Sequence, residues 1–211
     1  MSDETLRELE RRWQATGAVE DEASYLLELV RVGALPQERL ELASYCGRAS
    51  AQRALGASGI PPVGEREWLL GLARFGALTC VRLAVLTARR HLPAWTREQP
   101  EVKEPAFMLD TLDRLQTLED RPSVAEAFYS KYDSRNRYPY FMRDPWGFGT
   151  PGLPLSDAAV LAVGLVVGAC NMFDEFDDEE GLEEWLGELE NVPGLGEAIA
   201  ELGRDALQRD V

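Results

Sequence analysis

Between Ala158 and Cys170 the chain reads AAVLAVGLVVGAC, thirteen residues without a polar side chain, and Ser156 and Asp157 stand in front of it as a helix start. A helix of this composition is apolar nearly all round, so in water other elements must cover it. The run is the longest of its kind in the chain, and it falls short of the roughly 18 apolar residues that a membrane helix needs. The expectation is therefore a buried central helix, not a membrane span. Gly164 and Gly168 lie four apart and share one face, where the expectation is close approach of a neighbouring backbone and tight internal packing.

The remaining sequence supplies covering elements of one type. Apolar residues recur at helical spacing almost throughout, and sustained period-two alternation is absent, so the fold class is all-α. Leu6, Leu9 and Trp13 follow a Ser2 cap and end at Gly17. Ala23, Leu26, Leu27 and Val30 keep the i, i+3, i+4, i+7 stripe up to Gly33. Pro36 suits the first turn of a third helix that buries Leu40, Ala43 and Cys46, and a short fourth runs from about Ala49 to Leu55. The stretch GASGIPPVGE, residues 56 to 65, ends regular structure and is the best boundary in the chain. Beyond it come EREWLLGLARFG, then a helix broken at Pro93, then helices opened by Pro105 and Pro122. The chain finishes with the stripes Leu182, Trp185, Leu186, Leu189 and Leu195, Ala198, Ile199, Leu202.

The expected architecture is a multi-helix bundle or short α-solenoid-like array of about nine to eleven helices. An N-terminal helical module would occupy residues 1–60 and a larger helical domain 61–211, the latter with an aromatic loop at 133–154 and an acidic C-terminal segment at 171–211. With 211 residues and 45% hydrophobic content, the chain holds apolar material for one sizeable core or two small ones.

Composition removes several function classes. Cys46, Cys80 and Cys170 are widely spaced among small apolar residues, a pattern of buried, reduced core cysteines and not of a disulfide or metal framework. His91, the single histidine, stands in ARRHLP at an expected helix end, so His-based metal sites and catalytic dyads have nothing to build with. There is no G-x-S-x-G, no P-loop, no dinucleotide-binding glycine fingerprint and no H-E-x-x-H. No catalytic residue, metal or cofactor is expected. The acidic, amphipathic N-terminus MSDETLRELERRW differs from a secretory signal, which points to a cytoplasmic protein.

Charge is distributed unevenly. Residues 1–170 carry 23 acidic and 20 basic side chains, whereas residues 171–211 carry 14 acidic and two basic, so most of the net charge of −15 belongs to the last 41 residues. Such a surface repels nucleic-acid phosphate and anionic lipid and attracts basic protein. No DNA, RNA or membrane partner is expected.

Two segments resemble known families. LRELERRWQATGAVEDEASYLLELVRVGALPQERLELASYCGRASAQRALG resembles a helical module that recurs in myxobacterial proteins. LARFGALTCVRLAVLTARRHLPAWTREQP, followed by KEPAFMLDTLDRLQ, is similar to a helical domain of the immunity proteins of bacterial polymorphic-toxin systems. That second likeness rests on Cys80, Arg82, Leu92, Pro93, Trp95, Pro100 and Pro105. The family usually has basic residues after the second proline, where this chain has Ala106 and Phe107. The resemblance covers about half the chain and implies a helical fold and a protein-binding role, with no catalytic residue to carry over.

Two candidate sites follow. The first is the acidic run Asp174, Glu175, Asp177, Asp178, Glu179, Glu180, Glu183 and Glu184. An EF-hand loop needs oxygen ligands at positions 1, 3, 5 and 12 and glycine at 6. Starting at Asp174 puts Phe176 at 3 and Glu179 at 6, and placing Gly181 at 6 puts Phe176 at 1, so both registers fail. The carboxylates ahead of Leu182 suit a solvated helix entry, where each well-placed charge contributes about 0.3–1 kcal/mol. A helix needs two or three such charges, and the surplus favours a basic protein partner. Phe173 and Phe176 are either core anchors or contact residues. The second candidate is the aromatic loop, with Tyr132, Arg135, Arg137, Tyr138, Tyr140, Phe141 and Trp146, residue types found at binding hot spots. It is either a partner surface, a stacking platform for single-stranded bases, or a loop folded over the core by its own aromatics.

The preferred function is non-catalytic binding of a protein, in its most concrete form an immunity- or antitoxin-like inhibitor whose acidic surface covers a basic partner. The alternatives are a helical enzyme or small-ligand sensor with a pocket under the aromatic loop, and a scaffold that self-associates through exposed aromatics.

Overall fold

The computed structural model describes residues 3–57, 62–130, 155–174 and 179–208. Among them the chain is all-helical, with eleven α-helices and no strand. They are α1 (Asp3–Thr16), α2 (Val19–Arg31), α3 (Gln37–Tyr45), α4 (Ala49–Leu55), α5 (Arg66–Gly71), α6 (Ala77–Glu98), α7 (Glu104–Leu112), α8 (Arg121–Ser130), α9 (Asp157–Asp174), α10 (Glu179–Glu188) and α11 (Leu195–Asp205). Short 3-10 turns lie at Leu72–Phe75 and Leu118–Asp120. The helices form two compact units, one of Met1–Trp68 with Gly196–Val211 and one of Leu69–Leu195. Against the expected 1–60 module, the first unit extends to Trp68 and includes the C-terminal residues from Gly196.

In the first unit the amphipathic stripes meet, with one correction in α2, where Leu27 is 46% exposed and the buried face runs through Tyr25, Leu26 and Leu29. Tyr25, Leu26 and Leu29 of α2, Leu40 and Ala43 of α3 and Ala51 of α4 are buried together, with Leu6, Leu9 and Trp13 of α1 packed against them. Burying each large apolar side chain contributes about 1.5–3 kcal/mol. The Trp13 ring stacks on that of Tyr25, with centroids 5.4 Å apart. The turn out of α2 needs a left-handed residue, and Gly33 supplies it at φ +75° while its N–H and that of Ala34 donate to the carbonyls of Val30 and Leu29.

Two contacts tie distant parts of this unit together. The rings of Tyr45 and Trp68 stack at 5.0 Å, the Tyr45 hydroxyl donates to the Trp68 carbonyl at 2.9 Å, and Trp68 Nε1 donates to the Tyr45 carbonyl at 2.8 Å. Both side chains are thereby buried with their polar atoms satisfied. At the end of α11 the Arg39 guanidinium donates to the carbonyls of Ala206 at 2.9 Å, Asp205 at 3.3 Å and Gln208, closing groups that a helix leaves unpaired.

In the second unit α9 packs along α6 more extensively than any other two helices among the described residues do. Ala159, Ala162, Val163, Val166 and Cys170 of α9 are buried, as are Leu83, Ala84, Val85 and Ala88 of α6. Met108, Leu109 and Leu112 of α7 are also in the core. Phe173, one of the two phenylalanines in the acidic run, is a core anchor, 2% exposed and 5.9 Å from the Phe128 ring. Burial pushes the Cys46 and Cys80 thiols up to about 12, so both remain protonated and pack as small apolar groups.

Two expectations about α6 are corrected. The helix does not break at Pro93 but runs on to Glu98. Proline removes one N–H and crowds one carbonyl, while the segment beyond it is held by Trp95, 2% exposed, whose Nε1 donates to the Val102 carbonyl at 3.3 Å. His91 therefore lies inside the helix, with Nε2 2.6 Å from the Pro193 carbonyl.

Gly203 of α11 leaves no room for a side chain, since a Cβ there would stand 2.8 Å from Cβ of Cys46. Both atoms are fixed to backbone, so Gly203→Ala forces the helices apart. The helix-propensity gain of alanine, about 1 kcal/mol, offsets part of an overpacking cost of about 1–3 kcal/mol. Chemical denaturation should show a net loss of stability of up to about 2 kcal/mol for Gly203→Ala.

Candidate functional site

The central helix is not covered all round. Gly164 is exposed, and Val160, Leu161 and Gly168 are only half-buried. These four residues, with Leu165 and Met172, form the floor of a cavity of about 540 Å³ on the side of α9 next to α10. Trp185 and Glu188 of α10 and Leu189 and Val192 just after it complete one wall, and Ala84 of α6 contributes to the other. Cavities of this size suit small organic ligands.

The pair of glycines does not serve close backbone packing, contrary to expectation. A Cβ at Gly164 would meet nothing within 4 Å among the described residues, and one at Gly168 would meet only the Trp185 ring, at 3.6 Å. The reason is Trp185 itself, whose ring stands over Gly168 as a spacer between the two helices. Each glycine in a helix interior costs about 1 kcal/mol relative to alanine. At Gly164 that cost has no packing return, and its effect is to keep the trough open.

Glu188 lines the trough in an unfavourable electrostatic setting. Desolvation and the charge of Glu184, one turn earlier, raise its pKa above the ordinary value. It also stands in the last turn of α10, where the helix dipole disfavours a negative charge. Acids elsewhere are placed otherwise. The Thr16 hydroxyl and Arg12 hold Asp21 below its ordinary value, Arg31 does the same for Glu28, and Ser156 for Glu98.

Of the acidic candidates, Glu183 and Glu184 are exposed on α10, on the side away from the buried Leu182 and Leu186. Asp174 is the last residue of α9, and Glu179 and Glu180 open α10. Glu175, Asp177 and Asp178 lie outside the described residues, as do Phe176 and the aromatic-loop candidates Tyr132, Arg135, Arg137, Tyr138, Tyr140, Phe141 and Trp146. Among the described residues no group of three or more His, Cys, Asp or Glu side chains is arranged to hold a metal ion, and no helix is long and apolar enough to cross a membrane. The residues that sequence reasoning missed are Gly164 as an open position and Glu188 as a trough residue. The signal for the first was a glycine in the middle of an otherwise strong helix, and for the second an acid in a helix's last turn. Comparison with protein-family models, with curated proteins and with solved structures finds no match.

Two outcomes follow from this geometry. Gly164→Ala should raise stability by roughly 0.5–1 kcal/mol in chemical denaturation, because the added methyl enters open space. For Glu188 the folded pKa is raised, so its charged form destabilises the fold above the carboxylate range, and that penalty disappears as the pH falls through the range. Glu188→Gln should therefore melt above the parent chain at neutral pH, with the difference vanishing at pH values well below the carboxylate range.

Proposed function

We propose that this chain is a non-catalytic protein-binding protein, an immunity- or antitoxin-like inhibitor acting in the cytoplasm, whose acidic C-terminal surface covers a basic partner. The observation that carries this reading is the outer face of α10. Glu183 and Glu184 are exposed there, and neither forms an ion pair among the described residues. From Glu179 to Gln208 the only basic residue is Arg204. Carboxylates in such number repel one another, and a basic partner relieves the repulsion while being steered toward it over a Debye length of about 8–10 Å. The likeness of one segment, LARFGALTCVRLAVLTARRHLPAWTREQP with KEPAFMLDTLDRLQ, to a helical domain of immunity proteins supports the same reading.

The test is capture of the products of neighbouring genes on the immobilised chain, followed by a salt titration. A single exposed pair contributes about 0.2–1 kcal/mol, so reversing Glu183 and Glu184 together should weaken the captured complex about tenfold or more. Raising ionic strength should weaken it as well. Binding indifferent both to salt and to the double reversal overturns the electrostatic reading.

A further inference from the structure

The trough along α9 has a direction. Its lining runs from Asp157 to Met172, a rise of about 22 Å at 1.5 Å per residue. A volume of about 540 Å³ drawn out over that length is narrow. It accommodates an unbranched chain but not the body of a helix, which with its side chains is about 10–12 Å across. Trp185 lies over Gly168, the one six residues after the start of α10 and the other six before the end of α9, so the two helices run in opposite directions. Three residues beyond Trp185, Glu188 stands near the level of Leu165, at about the middle of the trough, and the lining from there toward Met172 is apolar.

The charges of the lining select among ligands. No lysine or arginine lines the trough among the described residues, and its charged side chains are Asp157 and Glu188. Asp157 lies in the first turn of α9, where its charge complements the positive end of that helix. Glu188 has no such complement, and Glu184 one turn away adds to its negative field. An anionic head group is repelled there, and a cationic one is paired.

We infer that the trough binds an unbranched apolar chain bearing a cationic head, the chain lying over Gly164 and Gly168 against Trp185 and the head facing Glu188. This goes beyond the docking of a basic protein and does not depend on it. Glu183 and Glu184 do not line the trough, so their reversal leaves this site in place.

The experiment is isothermal titration of the whole chain with decylammonium, decanol and decanoate, each below its micelle-forming concentration. Decylammonium should bind one-to-one and about tenfold or more tighter than decanoate, and Glu188→Gln should remove most of that preference while retaining the uptake of decanol. Gly164→Leu, whose side chain occupies the trough, should abolish binding with helix content and melting retained. Should that variant not fold, a decylammonium brominated on its terminal carbon takes its place, expected to quench a tryptophan signal that is missing from Trp185→Phe. Decanoate binding as tightly as decylammonium, or a folded Gly164→Leu that binds as the parent does, overturns the inference. Uptake of a leucine–lysine peptide with no uptake of decylammonium also overturns it and gives the trough to a protein partner.

Discussion

A helix as apolar as α9 is stable in water only where neighbours remove its surface from solvent, and in its unit that condition organises everything else. α6 meets it along most of its length, and α7 closes part of the remainder. The buried residues of α9 up to Cys170 are mostly alanines and valines, with Ala159, Ala162 and Val166 fully enclosed, and the large Met172 and Phe173 are buried near its end. Small side chains allow helices to approach closely and lose little rotamer entropy on burial. The pairing therefore includes many modest contributions along its length. α10 stands apart from that arrangement, because the Trp185 ring separates it from α9 at the level of Gly168.

The carboxylates divide by what surrounds them. Asp120 receives the backbone N–H groups of Thr117 and Gln116 and is held below its ordinary value, closing a turn before α8. With Asp21, Glu28 and Glu98 it forms a set whose charge the fold stabilises. These groups contribute stability above the ordinary carboxylate range and lose it as the pH falls through their lowered values. Glu188 contributes with the opposite sign. Several acids before residue 171 thus have local partners, whereas Glu183 and Glu184 on α10 form no ion pair among the described residues.

Helix identity was legible because it depends on local periodicity and on glycines at chain reversals. The stripes through Leu40 and Ile199 are buried as spaced, that through Leu186 is buried except for the half-buried Trp185, and α4 ends at Gly56 as read, whereas in α2 Leu27 is exposed and Tyr25 and Leu29 take the buried face beside Leu26. What failed depended on tertiary context. Pro93 carries a strong local signal for a break, but Trp95 beyond it is anchored in the core and the helix continues. Gly164 and Gly168 carry a signal for close packing, which holds only if the facing residue is small, and the facing residue is Trp185. The cavity could not be read from the sequence at all, since it arises from the distance between two helices. The inclusion of the last helix in the first unit is likewise a long-range fact, carried by Arg39 and by the fit of Gly203 against Cys46.

Departures from local rules are informative when they have no structural return. In the first unit three of them have such a return. Gly33 permits a left-handed turn, Gly203 permits a crossing that a methyl would obstruct, and the Trp68 indole, costly to bury alone, is paired with Tyr45. In the second unit three departures lack one: a mid-helix glycine facing open space, a tryptophan that keeps two helices apart, and a carboxylate at the negative end of its helix beside a like charge. All three border the same trough. Sequences that specify one structure agree across local propensity, packing and electrostatics, and where several disagreements gather in one place, selection for something other than stability is the physical explanation. Relieving any of them singly should stabilise the fold or fill the trough, which is the relation expected of a site maintained at the expense of the helix pair that carries it.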